Sequence, residues 1–290
     1  MPIPIRACFL AILALFHALG CAEAPGGGDA ATPSESPRLA VLSPASAIIL
    51  RDLGHEDTIV ARHGFDLVLD TSVPVAGDQT GIDYETLIRL EPTDVILERG
   101  AQEPPARLLE LAGSRGWTVH EIPLLTLPDV RDAITQLERI ASPPPQNSEG
   151  GTKLLADLDA AITDRPDACT PLGRTLLLTW TDPVGVMGPG SFHFELLSAL
   201  GATPIPNEGA PYITLDTEDV LRLDPDTIVL LMPGHGEGDL SDALGPLVGV
   251  GLRAVEEERV ILINHPLALT PSTALIDVAD ALVASAEAMR

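Results

Sequence analysis

The chain has 290 residues, enough for two ordinary domains, and 45% of them are hydrophobic, so a sizeable core can be buried. Against 17 Lys and Arg stand 42 Asp and Glu, a formal net charge of −25, which argues against a nucleic-acid partner because phosphate binding needs a basic face.

Residues 1–20 read as a signal segment. Arg6 supplies the positive start, and Ala7 to Leu19 is an apolar run shorter than the roughly 20 residues that span a bilayer. The run closes on Ala18-Leu19-Gly20-Cys21, which resembles a bacterial lipobox with Ala in place of the usual first Leu. That resemblance implies acylation at Cys21 and a membrane anchor that does not span. An ordinary cleaved signal with an incidental cysteine is the alternative. Residues 21–37, rich in Gly, Pro, Ser and Ala, read as a flexible tether. With Cys8 removed and Cys21 acylated, Cys169 is left alone, which rules out an internal disulfide or a cysteine-based zinc site.

A first lobe follows over residues 38–141. Leu39 to Leu42 is an apolar strand, and Ser43-Pro44 supplies an N-cap with proline at the first helical position; that helix runs to Leu53 and stops at Gly54. Ile59 to Ala61 is the next strand, and a loop runs through Val73-Pro-Val-Ala-Gly77. Asp83 caps a helix to Leu90. Asp94 to Leu97 is a buried strand, Pro105 to Arg115 a helix, Thr118 to Ile122 a strand and Pro128 to Ile140 a helix.

Residues 142–170 read as a linker and connecting helix. Pro143-Pro-Pro145 and Gly150-Gly151 fit no element interior, whereas Leu154, Leu155, Leu158, Ala161 and Ile162 recur at helical spacing, predicting a helix from Thr152 to Asp164.

The second lobe covers residues 171–290. It reads as a strand from Arg174 to Trp180, a glycine-rich turn from Val186 to Ser191, and a helix from Phe192 to Leu200. A second helix ends at Leu223, after a cap within Thr214 to Asp219. Thr227 to Leu231 is a strand, Val248 to Val255 a helix, Val260 to Ile263 the last strand and Ser272 to Met289 the closing helix. Strands alternating with helices in both halves indicate an α/β fold: two lobes, each a mainly parallel sheet flanked by helices, joined by a single connecting helix with a ligand cleft between.

Several segments carry a family resemblance: RLAVLSPASAIILRDLG, VPVAGDQTGIDYETLIRLEPTDVIL and RGWTVHEI in the first lobe, then GPGSFHFELLSALGA, YITLDTEDVLRLDPDTIVLL and RAVEEERVILIN in the second. In order and spacing they resemble the helical-backbone class of periplasmic substrate-binding proteins (class III), which serve ABC importers of vitamin B12, ferric siderophores, haem and some metal ions. The resemblance implies an extracytoplasmic receptor, anchored by lipid and monomeric, that hands a metal chelate to a permease. It implies no resident cofactor and little movement on binding. It also implies docking through one surface carboxylate per lobe, and by position Glu103 and Glu195 match, although ordinary surface carboxylates are the plain alternative in so acidic a chain.

In open α/β sheets, ligands sit beyond the carboxyl ends of the strands. In the first lobe this puts Ser43, Ser46, Asp78, Gln79 and Arg99 in the cleft, and in the second Trp180, Ser191, His193, His235 and His265. Trp180 either stacks on a flat ring or packs on a neighbouring loop. The Gly188-Pro-Gly-Ser191 turn either holds an anion at the helix start or merely connects. His235, between two glycines, can approach a ligand closely; each loop histidine is otherwise a solvated or hydrogen-bonded residue. G-x-S-x-G, H-E-x-x-H and Walker motifs are missing, which points away from an enzyme. Cobalamin or a ferric siderophore ranks above haem, since the Val75-Ala-Gly-Asp78 stretch lacks the tyrosine expected of many haem receptors and aromatic residues make up only 3% of the chain. Two rivals stand beside this reading. One is a receptor for free zinc, manganese or iron, and the other is a two-lobed metal chelatase.

Overall fold

Each lobe is built on a sheet whose central strands are buried and apolar on both faces, as expected when helices cover both sides. The computed structural model describes residues 36–101, 103–142, 149–234 and 240–290. The signal segment, nearly all of the tether, Cys21, the Pro143-Pro-Pro145 run and His235 lie outside the described residues.

The first lobe runs β1 (Leu39–Val41), α1 (Pro44–Asp52), β2 (Ile59–His63), β3 (Val75–Asp78), β4 (Gly81–Ile82), α2 (Tyr84–Leu90), β5 (Asp94–Glu98), α3 (Ala106–Arg115), β6 (Thr118–Ile122) and α4 (Leu127–Ala141). Its strand order is β4-β3-β2-β1-β5-β6, parallel except for the β3–β4 hairpin. Val75 to Asp78, expected as loop, is a strand that the β4 hairpin extends by one more. Helix starts follow the sequence. Ser43 accepts a bond from Ser46 N at 3.2 Å, Asp83 caps α2, and Thr126 with Asp129 forms a reciprocal capping box on α4.

The connector α5 (Gly150–Ala161) begins two residues earlier and ends three earlier than its hydrophobic spacing predicts. Leu154, Leu158 and Ala161 face inward. Arg131 on α4 grips Asp159 through two bonds at 2.5 and 3.2 Å, and Arg165 ties the far end of α5 to Asp280 at 2.7 Å.

The second lobe runs β7 (Arg174–Thr181), β8 (Val184–Met187), α6 (Phe192–Ala199), β9 (Thr203–Ile205), β10 (Tyr212–Leu215), α7 (Thr217–Leu223), β11 (Thr227–Leu231), α8 (Leu240–Leu244), α9 (Arg253–Glu256), β12 (Val260–Ile263) and α10 (Leu275–Ala288). Its order is β10-β8-β7-β11-β12, with β9 pairing the first half of β7. Part of the expected glycine-rich turn is thus the strand β8, antiparallel to β7. The helix expected over Val248 to Val255 shrinks to α9, because Gly249 and Gly251 take left-handed φ values of 79° and 76° that no α-helix accommodates.

Strand alternation sorts the core into three parts. In β1, Ala40 packs outward against Leu87, Val95 and Leu108, while Leu39 and Val41 point the other way. In β11, Ile228 and Leu230 join Leu176, Leu178 and Val186, while Val229 and Leu231 point away. The residues pointing away meet in one cluster with Ile49, Ile134, Leu137, Leu158, Phe192, Leu196, Leu275 and Leu282. A single apolar core therefore runs through both lobes along α1, α4, α5, α6 and α10. Polar bonds reinforce this seam: Phe192 N donates to Leu125 O at 2.9 Å, Leu127 N to Glu195 Oε2 at 2.7 Å, and the Thr273 hydroxyl to Asp52 Oδ2.

Candidate functional site

Where the strands end, both sheets present open walls that border the seam through Met187 and Leu269. In the first lobe the chain winds one way from β1 to β2 and the other way to β5, so a crevice opens beyond the carboxyl ends of β1 and β5. A cavity of about 400 Å³ occupies that place, lined by Leu42, Leu97, Glu98, Glu103 and Glu121 among others. In the second lobe a cavity of about 280 Å³ lies at the end of β7, lined by Trp180, Gly185, Met187, Tyr212, Thr214 and Leu269 among others.

Each wall carries a titratable group. Glu98 is accessible to solvent yet crowded by protein, and that loss of water pushes its carboxyl above the ordinary glutamate value, against a bond from Ser43 that lowers it. Tyr212 in the other lobe is pushed up first by its own burial and then by the charge of Glu98. Both walls lie at the carboxyl ends of their strands, where two facing α/β lobes set a cleft.

Trp180 is 54% exposed. Its indole lies over Gly185, where an added Cβ would come within 2.1 Å of the ring nitrogen. The ring rests on bare backbone, which holds it in place and leaves its other face open. Tyr212, also more than half exposed, stands on β10 in the same wall.

The expected site residues divide. Trp180 lines the cleft. Glu98, the neighbour of Arg99, lines it too, but Arg99 is exposed and stands outside both cavities. Asp78 and Gln79 are exposed on the β3–β4 turn, also outside them, and Asp78 is held well below the usual carboxylate range by the Thr80 hydroxyl and N–H. His265 is half-buried beside the C-terminal helix, accepting from Leu267 N at 3.2 Å and lying 3.5 Å from Asp277.

Four expectations are corrected. Ser43, Ser46, Ser191 and His193 are each no more than 1% exposed and cannot touch a ligand in the cleft. Ser43 and Ser191 are spent as N-caps of α1 and α6, and Ser191 Oγ also donates to Gly188 O at 2.8 Å. Ser46 lies on the inner face of α1. His193 shares a helix face with Leu196, Leu197 and Leu200, and its Nε2 donates to Ala268 O at 2.6 Å; burial lowers its pKa to about 4, so the ring is neutral.

The docking carboxylates also have definite places. Glu103 is exposed on the rim of the first-lobe cavity, and Glu195 is half-buried at the seam, holding the first turn of α4. Cys169 is fully buried, and burial pushes its thiol up to about 11, which keeps it unreactive. Among the described residues no three His, Cys, Asp or Glu side chains gather as a metal-binding group, and no helix is long and apolar enough to cross a membrane.

The sequence placed the segment Glu98 to Ala101 at the cleft but singled out Arg99 from it, and it passed over Glu121, Tyr212 and Gly185. Glu98 ends a recognised strand, so its place was available. Tyr212 and Gly185 depend on β8 and β10, short antiparallel strands with little alternation to reveal them.

A family description, "Periplasmic binding protein", matches residues 39–266. The chain belongs to that family. Membership makes it a binding protein and not an enzyme, and places it outside the cytoplasm. No curated protein matches this periplasmic binding protein significantly. Among solved structures it is similar to the periplasmic vitamin B12 binding protein BtuF of Vibrio cholerae, with a TM-score of 0.69 and 22% identity over 87% of this chain and 97% of that one. A possible iron-binding periplasmic solute-binding protein from Staphylococcus epidermidis matches with a TM-score of 0.69 and 15% identity, over 87% and 99%. The periplasmic haem-binding protein HutB of Vibrio cholerae matches with a TM-score of 0.67 and 19% identity, over 88% and 97%. These likenesses establish the two-lobe fold of the helical-backbone class.

Proposed function

We propose that this periplasmic binding protein captures a metal chelate, cobalamin or a ferric siderophore in preference to haem, between its two lobes and delivers it to an ABC permease. It works as a monomer, tethered to the membrane through a lipid on Cys21 and docking through Glu103 and Glu195. The observation that carries this reading is the pair of cavities at the strand tips of the two lobes, with Glu98 in one and the Trp180–Tyr212 ledge in the other. An open indole face suits a flat or bulky ligand surface, and the shared core behind the cleft suits a receptor that binds without wide closure. The three similar structures named above are described as a vitamin B12 binding, a possible iron-binding and a haem-binding protein, and each of these ligands bears or is a metal.

A thermal-shift panel of cyanocobalamin, a ferric hydroxamate, haemin and zinc tests the reading. At a hundredfold excess over Kd, the correct ligand adds about 2.7 kcal/mol to stability. A shift with cyanocobalamin or the ferric hydroxamate supports the proposal. A shift with zinc alone overturns it in favour of a bare-ion receptor, and no shift with any of them overturns it outright. Mass spectrometry of the membrane-extracted protein, with Cys21→Ala as the control, tests the lipid.

A further inference from the structure

Taking the cleft to be the ligand site proposed above, we infer that it accepts neutral or cationic chelates and turns away anionic ones, because among the described residues three carboxylates and no basic side chain wall it. Glu98, Glu103 and Glu121 line the first-lobe cavity, whose other lining residues are aliphatic, proline or glycine. The second-lobe cavity is lined by Trp180, Tyr212, threonines and apolar residues. Among the described residues, neither lining contains Lys, Arg or His.

The flanking arginines do not relieve this. Arg99 is exposed and outside both linings, and Arg107, just past the cavity's Pro105, lies over the Tyr84 ring with its Cζ 4.4 Å from the centroid. The surroundings add to the local charge, since 42 acidic residues against 17 basic ones give the whole chain a negative field that an approaching anion must cross. Burial already disfavours the charge on Glu98, so an anionic group beside it meets a site that holds negative charge poorly, whereas an ammonium or amide N–H restores the carboxylate's lost partners. The ligand class that fits has a metal enclosed by its own donors, a periphery offering N–H groups or a positive charge, and an apolar face for Trp180. A corrinoid with amide arms and a ferric hydroxamate with a free ammonium meet these terms. A ferric tricatecholate and a porphyrin with free propionates do not.

Isothermal titration of the full-length protein with three probes tests this: uncharged cyanocobalamin, cationic ferrioxamine B and the trianionic ferric complex of enterobactin. The trianion is expected to bind at least about tenfold more weakly than the better of the other two at low salt, with the gap narrowing in 0.5 M salt. In the variant carrying Glu98→Gln, Glu103→Gln and Glu121→Gln, all at accessible or half-accessible positions, the gap should fall to about threefold or less. The salt series reads the same effect in the unaltered protein, so the test does not depend on the variant folding. Trianion binding as tight as the best of the others, or a gap unmoved by both salt and substitution, overturns the inference and leaves the receptor reading standing. Failure of all three probes and of haemin removes the receptor reading, and this inference falls with it.

Discussion

The two sides of the molecule handle the meeting of the lobes in opposite ways. At the seam, side chains from α1, α4, α5, α6 and α10 share one apolar core, with Leu127, Glu195, Phe192 and Leu125 bonded across it. At the cleft, the same two lobes present an acidic wall and an aromatic ledge with open space between. The lesson is a division of labour: most of the shared core lies behind the cleft, meeting it at Met187 and Leu269, and the exposed cleft residues can vary their chemistry without endangering the fold.

Substitutions can break or sharpen that contrast. The largest effect is expected from Phe192→Ala, which empties a site 1% exposed in the shared core and should cost about 3–5 kcal/mol. Because the core is common, both lobes should melt in one transition by calorimetry; two separated transitions would break the seam.

Acid should act next, through His193. Its folded pKa, about 4, lies below the ordinary 6.5, so the unfolded chain binds more protons between those values. The stabilisation from the neutral ring is complete above pH 6.5 and lost as pH falls toward 4, about 3 kcal/mol in all. Denaturant titrations across that range should show the decline, and His193→Gln should flatten it.

Glu195→Ala removes the acceptor for Leu127 N at the seam and should cost about 2 kcal/mol, of which Glu195→Gln recovers most because its amide oxygen still accepts. Loss of transport in both variants with stability restored in the glutamine form would separate a docking role from the structural one.

The smallest effect is on the other side. Trp180→Ala should weaken chelate binding by about 1 kcal/mol while changing stability by no more than about 0.5 kcal/mol. A large fall in melting temperature would mean that the indole belongs to the core and not to the ledge.

What the sequence made legible follows the reach of each signal. Local chemistry was readable: the Asp83 cap, the Ser43-Pro44 helix start and the buried strand Thr227–Leu231 all stand where their residues put them. The short strands β3, β4, β8, β9 and β10 were not, since each is two to four residues long and owes its existence to a partner across the sheet. The site was harder still. Strand tips pointed to the right region, yet position alone could not separate Glu98, which faces the cleft, from Arg99 beside it. His193 was a loop candidate by its neighbours, although its spacing of three, four and seven from Leu196, Leu197 and Leu200 carried the mark of a buried helix face. Ser43 and Ser191 illustrate another limit: a residue that begins a helix at a strand tip has its hydroxyl already engaged.

The resting place of Trp180 on Gly185 has a practical side. The chain carries two tryptophans, and the other, Trp117, is only 8% exposed among the first lobe's outer core. Corrins, haem and many ferric chelates absorb near the wavelengths at which indole emits, so a captured cargo should dim the cleft fluorophore far more than its buried counterpart. With Trp117→Phe the protein would carry its own optical gauge of occupancy, readable without labelling either partner.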